Sequence, residues 1–166
     1  YRWVNENWVE EPLLHDGIYG AMGGMITSLD DFSKYLSLHL SAWPPSDDDD
    51  KGPVKRSSIR EMHFPWNFNS LNSQTKKYDG SPCPSVSAYG YGLSWTKDCE
   101  GKVFISHGGG LPGFGSNWRI MSDYGIGIIS LSNLTYASAG YINTKVLETV
   151  VRMAKLEPRR LPVSPI

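Results

Sequence analysis

The sequence predicts an α+β fold: an antiparallel sheet with flanking helices. Three observations predict it. Residues 88–133 read as successive strands joined by short turns. Apolar residues at helical period lie before them, from Leu29 to Leu40, and after them, from Ile142 to Met153. No strand–helix–strand alternation interrupts the strands, and such an order belongs to layered α+β domains.

The elements follow in chain order. Residues 1–18, YRWVNENWVEEPLLHDGI, are aromatic and acidic and read as a short strand and then loop. The glycine-broken YGAMGGM leads into a helix. Ser28 is placed to cap it, with Asp31 three residues on at capping-box spacing. Leu29, Phe32, Leu36 and Leu40 form its stripe, and AWPPSDDDDKGP ends it. DDDDK spells a protease tag site, but in mid-chain it reads as a solvated acidic loop. Ser57 or Ser58 starts a short helix that runs to about His63 and is closed by Pro65; residues 66–87 are polar and turn-rich. AYGYGLSWTK, the turn DCEG and KVFISH read as one hairpin. SNWRIM, the turn SDYG and IGIISLSN read as a second. A last helix spans about Ser138 to Lys155, with a stripe of Ile142, Val146, Val150 and Met153, Leu147 and Val151 beside it, and Pro158 as its stop.

Composition narrows the function classes. The 166 residues suit one domain with a real core. A net charge of -1 argues against a nucleic-acid partner, and no apolar run approaches the ~18 residues of a membrane span. Six Trp and nine Tyr fit a carbohydrate or peptide cleft, but core is the favoured reading. The start at Tyr1, without Met or leader, is read as a fragment. His15, His39, His63 and His107 form no pair at ligand spacing and the cysteines number two, so no metal and no cofactor is expected. His39 beside Leu36 and Leu40 reads as a packing or surface histidine. Cys83 precedes and Cys99 follows an apparent ten-residue strand, Ala88 to Lys97. Such a strand spans ~33 Å, whereas a disulfide needs Cα atoms within ~7 Å. The two are expected not to be bridged to each other.

The stretch VFISHGGGLPGFGSNW, residues 103–118, carries the chemistry. Glycine loses the most backbone freedom on folding, so three in a row at a strand end need a reason. A substrate lying along a strand needs close approach of the two backbones. Glycines allow that approach and leave N–H groups for a developing oxyanion. A histidine at the rim donates to a carboxylate or holds a proton near neutrality. A plain glycine-rich loop with an incidental histidine competes on equal terms. The HGGG oxyanion loop of α/β-hydrolase esterases also contains this string, but it requires a G-x-S-x-G elbow downstream, and Gly113-Phe114-Gly115-Ser116-Asn117 displaces the serine.

From Gly17 to about Lys155 the chain resembles the C-terminal part of the serine β-lactamase-like family: class C β-lactamases, D-Ala-D-Ala carboxypeptidases of the penicillin-binding kind, and related esterases. YGAMGGMITSLDDFSKYL, YGYGLSW, HGGGLPGFGSN and YGIGIISLSN look like that family's segments in its order, with the glycine string at its third motif. The resemblance implies one partial domain over residues 1–166. That domain lacks the portion with the catalytic serine and lysine (S-x-x-K) and the Tyr-x-Asn or Ser-x-Asn motif. It implies a serine hydrolase that acylates itself on a β-lactam, a D-amino-acid peptide or an ester, and a fragment that is inactive alone. His107 then stands at the lysine position of the third motif and orients a substrate carboxylate. Gly108 and Gly109 let the substrate lie along the strand, the Gly110 N–H is one oxyanion donor, and Asn133 is a weaker candidate for the cleft rim. Literal matches elsewhere break family order: Ser73 to Lys76 spells S-x-x-K too close to His107, Ser70-Leu71-Asn72 precedes it, and Tyr141-Ile142-Asn143 follows the glycines. All three are read as chance.

The partners implied are a small-molecule or peptide substrate of the full-length protein, the missing N-terminal portion of the same fold, and self-association through the exposed sheet face. The family suggests export to a periplasm or outside the cell. A non-catalytic binding or regulatory domain on the same scaffold is the alternative, because fold does not establish function.

Overall fold

The computed structural model describes residues 1–15, 17–46, 49–77 and 79–159. The chain opens on a small hairpin, β1 (Arg2–Val4) and β2 (Asn7–Val9), turned through Asn5 and Glu6. Three helices follow: α1 (Gly20–Gly23), α2 (Leu29–Leu40) and α3 (Arg56–Met62). Then come β3 (Asn67–Asn72), β4 (Ser85–Gly90), β5 (Leu93–Lys97), β6 (Val103–Leu111), β7 (Phe114–Met121) and β8 (Ile126–Ser132), and the chain closes on α4 (Gly140–Met153). The last six strands form one sheet in sequence order, every neighbouring pair antiparallel. The architecture is the α+β arrangement that the patterning predicts.

The sheet is the middle layer. Alternation along β6 sends Phe104 to one face and Ile105 to the other. Ile105 joins Leu93, Trp118 and Ile120 under Leu36 of α2, with Phe32 and Tyr35 packed alongside. Phe104 joins Met121 under Leu147 and Val151 of α4. Ser28 caps α2 as its spacing suggests: its Oγ accepts the Asp31 N–H at 3.1 Å and donates to the Asp31 carboxylate.

The expected stripe of α4 is corrected. Ile142, Val146, Val150 and Met153 face outward, and the buried line is Asn143, Leu147 and Val151. The apolar arc of α4 is wider than one contact face. Asn143, fully buried, decides which half meets the sheet because it bonds Asn117 and Ser130 there. The stretch 66–87 is likewise more than turns. It holds β3, an edge strand exposed along its whole length, which suits its polar composition.

The expectation for the cysteines is overturned. Cys83 and Cys99 are disulfide-bonded, with Cα atoms 5.1 Å apart. The apparent ten-residue strand is two strands, β4 and β5, folded back at Tyr91–Gly92. Both turn residues have positive φ, 50° and 76°, the pattern of a type I′ hairpin. The fold-back puts the residues that flank the hairpin beside each other. Removing the bridge by Cys83→Ser/Cys99→Ser is expected to lower stability by about 3 kcal/mol, the chain-entropy value for a loop of this size. A urea midpoint unchanged from the oxidised protein would contradict the bridge.

Two histidines far apart in sequence also converge. His39 of α2 and His63, just past α3, are buried and stacked, with Nδ1 of one 2.7 Å from Nε2 of the other. Trp43 stacks on His63, and Ser122 lies 3.4 Å from its Nδ1. Burial holds both rings neutral, lowering His39 to about 4 and His63 to about 3; for His63, repulsion from His39 adds to it. These values lie below the ordinary 6.5, so the pair's contribution to stability is complete above that pH and lost as pH falls toward about 3. The urea midpoint should drop across this window more steeply in the wild type than in a His63→Phe variant; parallel curves would count against the pair.

Candidate active site

The site begins with a mismatch of strand lengths. β6 is nine residues long, but β5 pairs only its first half, from Lys97↔Val103 to Ser94↔Ser106. β7 pairs onward to Leu111↔Phe114. Among the described residues, His107 to Leu111 therefore have a strand on one side only, because β4 and β5 have already turned at Tyr91–Gly92.

Ladder geometry tells which groups face the open side. Antiparallel bonds alternate between paired positions. The two-residue turn Pro112–Gly113 closes on Leu111↔Phe114, so Gly109↔Ser116 and His107↔Trp118 are the next bonded pairs. Gly108 and Gly110 consequently direct their N–H and C=O away from β7, toward the open edge. All three glycines are exposed.

The glycines also have an internal use that sequence reading missed. A Cβ on Gly110 would meet Cδ1 of Tyr136 at 2.7 Å, and one on Gly109 would meet the Ser116 Oγ at 2.8 Å. At Gly108 it would lie 3.3 Å from both the Asn117 Nδ2 and the Ser116 carbonyl. Tyr136, itself at positive φ, lays its ring over Gly110, and Ala137 sits over Gly115. The bare backbone lets the 135–137 segment close on one face of the hairpin while the edge stays open.

His107 is exposed at the start of this edge. Its Nε2 lies 3.2 Å from the hydroxyl of Tyr89 on β4. Its carbonyl accepts from Asn117 Nδ2 at 3.3 Å. Asn117 is held in turn by Asn143, whose Nδ2 donates to the Asn117 Oδ1 at 2.9 Å. A line of amides thus runs from α4 through β7 to the backbone of His107. Sequence pattern does not mark Tyr89, Asn117 or Asn143 as site residues: each is an ordinary strand or helix residue by pattern, and only the register brings them together.

Asn133 is placed elsewhere. It follows β8, with β7 between it and β6, and its carbonyl accepts from the Tyr1 amino group at 2.7 Å. His107, Gly108, Gly109 and Gly110 are contiguous on the open edge; Asn133 is two strands away. The literal motif matches have structural uses. Ser70 pairs its hydroxyl with Ser87 on the edge strand, Ser73 is in the exposed turn after β3, and Asn143 is the buried amide already described. Among the described residues no three His, Cys, Asp or Glu side chains converge on a metal position. None of the helices there is long and apolar enough to cross a membrane.

Strand order, the terminal helix and the glycine strand together define a β-lactamase-type sheet. The beta-lactamase family model matches residues 1–151, and the chain belongs to that family. It is similar to a protein of Aspergillus campestris named unguisins hydrolase ungD', with 26% identity over 128 residues. That match covers 76% of this chain and 21% of the relative, so the chain spans about a fifth of that protein's length.

The two crowded glycines should respond differently. Gly110→Ala is expected to displace the Tyr136 ring and cost about 1–3 kcal/mol, as overpacking does. Gly109→Ala meets a serine hydroxyl that can rotate away and should cost less than ~1 kcal/mol. Equal urea midpoints for the two variants would refute this packing account.

Proposed function

We propose that the chain is the C-terminal part of a serine hydrolase, in which the open edge of β6 is the substrate-facing strand. The observation that carries this is the pair of N–H groups on Gly108 and Gly110, directed by the ladder to an edge that no strand among the described residues covers. The substrate is an amide or ester: a β-lactam, a D-amino-acid peptide or a carboxylic ester. The hydrolase named among the relatives supports bond hydrolysis as the reaction class.

In the proposed mechanism a serine outside these residues attacks the carbonyl carbon. Its proton passes through a neighbouring base to the leaving group, whose bond to that carbon breaks. Water then adds to the acyl-enzyme and returns the serine. The Gly110 N–H donates to the oxyanion of each tetrahedral intermediate; one such donor is worth about 10²–10³ in kcat. Gly109 keeps the strand flat against the substrate, and His107 binds a carboxylate or carbonyl of the substrate. Asn133 contributes at the rim only if a neighbouring element carries the cleft around that far. The Cys83–Cys99 bridge supports export to an oxidising compartment.

The chain alone is expected to be inactive. A fluorophosphonate and a fluorescent penicillin should leave it unlabelled, and should label a longer protein that includes the preceding portion at a serine outside residues 1–166. Stoichiometric label on Ser73, or on any other serine of this chain, would overturn the assignment of roles. A longer protein that binds substrate without turnover or label would instead be the binding domain that shares this scaffold.

A further inference from the structure

We infer that Tyr89 is a positioning residue that sets the tautomer of His107, holding its proton on Nδ1; this rests on the proposed role of His107 in binding substrate. The Tyr89 hydroxyl is 3.2 Å from Nε2, with ring centroids 6.3 Å apart and planes 54° from parallel, so the contact runs through the ring's edge.

The direction of the hydrogen bond follows from acidity. A neutral imidazole has one donor nitrogen and one acceptor nitrogen. A phenol loses its proton near pH 10, far more readily than a neutral imidazole loses its N–H. The phenol is thus the better donor and the imidazole lone pair the better acceptor. Tyr89 donates, Nε2 accepts, and the ring's own proton resides on Nδ1. That places a donor, not a lone pair, on the nitrogen still offered to a ligand.

The geometry supports a positioning role over a chance contact. The His107 backbone is fixed independently, through Asn117 and then Asn143, so Tyr89 is left to orient the ring. Tyr89 also sits two residues before Tyr91, the first residue of the turn that ends β4. The same fold-back that uncovers the β6 edge brings the Tyr89 hydroxyl alongside it. An Nδ1–H donor selects a substrate with an acceptor oxygen at this point, a carboxylate or a carbonyl. It disfavours an ammonium or another donor there.

The test is long-range ¹H–¹⁵N correlation of the imidazoles at about pH 8, where an unperturbed histidine is neutral. His107 signals are assigned by their absence in a His107→Gln variant. In the wild type His107 should be in the Nδ1–H form. In Tyr89→Phe it should move mainly to Nε2–H, the form a free imidazole prefers, while backbone amide signals away from the site stay put. A wild type already in the Nε2–H form, or one tautomer unchanged in Tyr89→Phe, would overturn the inference, and the wild-type spectrum decides even where the variant folds poorly. In the longer protein, Tyr89→Phe should lower kcat/KM roughly five- to tenfold, the worth of one neutral hydrogen bond. Hydrolysis that needs His107 but a tautomer indifferent to Tyr89 removes the inference and leaves the hydrolase reading. A tautomer that responds in a longer protein without hydrolysis keeps the assignment of the proton and removes that reading.

Discussion

The left-handed turn at Tyr91–Gly92 is the constraint on which the rest of the structure depends. Two consecutive residues at positive φ reverse the chain after Gly90 and start β5 at Leu93. Three features follow from that one reversal. β5 covers β6 only as far as Ser106, which leaves His107 to Leu111 with an open side. Tyr89 is carried to within hydrogen-bond reach of His107. At the far end of the same hairpin, Cys83 and Cys99 come close enough to bond. Tyr91 bears the steric strain of a left-handed conformation with a side chain attached, a position where glycine or asparagine is more at ease. The disulfide closes the hairpin from the other end, so a turn with a poor first residue is still held in register.

Rigidity at the open edge comes from the opposite direction. An unpaired strand end in water frays unless something else fixes it. Here β7 holds one side of β6, and the 135–137 segment covers the face over Gly110 and Gly115. Beneath them, the Asn143 side chain in the α4 layer reaches Asn117, and Asn117 reaches the His107 carbonyl. Asn143 is fully buried, where an unpaired amide would cost about 1–3 kcal/mol. Its hydrogen bonds tie the position of α4 to the position of the glycine strand. The helix was legible as an amphipathic element, but its polar residue, more than its apolar stripe, sets how it docks.

What could be read from sequence divides along this line. Alternation, helical period and the Ser and Pro stop signals are local, and they located α2, α3, α4 and the β5–β6 and β7–β8 hairpins. The Ser28 cap was legible because the donor and acceptor are three residues apart. The β4–β5 turn was not, since Tyr-Gly lacks the Asn-Gly or Asp-Gly chemistry that marks a type I′ hairpin. Reading one strand where there are two then made the disulfide look impossible. β3 was hidden for a different reason: NFNSLN is an edge strand with no buried face, so it carries no apolar alternation to detect. His107 and the glycines stood out as a motif, whereas Tyr89, Tyr136 and Asn143 are site neighbours only through register, which no local pattern encodes. The pairing of His39 with His63 is of the same kind, joining two helical segments across a loop.

An open edge also constrains what can bind there. The N–H groups of Gly108 and Gly110 are solvated in the isolated chain and cost nothing. Once a ligand displaces that water, each needs an acceptor, and a donor left unmatched forfeits about 1–3 kcal/mol. A carbonyl oxygen satisfies such a group, and a developing oxyanion satisfies it better, because a charged acceptor roughly doubles the strength of the bond. In the proposed reaction such an edge would be more complementary to a tetrahedral intermediate than to the planar substrate, the condition under which binding energy lowers a barrier. Side chains at positions 108–110 would defeat it twice over: by colliding with Ser116 on one face at 109 and with Tyr136 on the other at 110, and along the edge by holding the ligand's backbone away from the N–H groups.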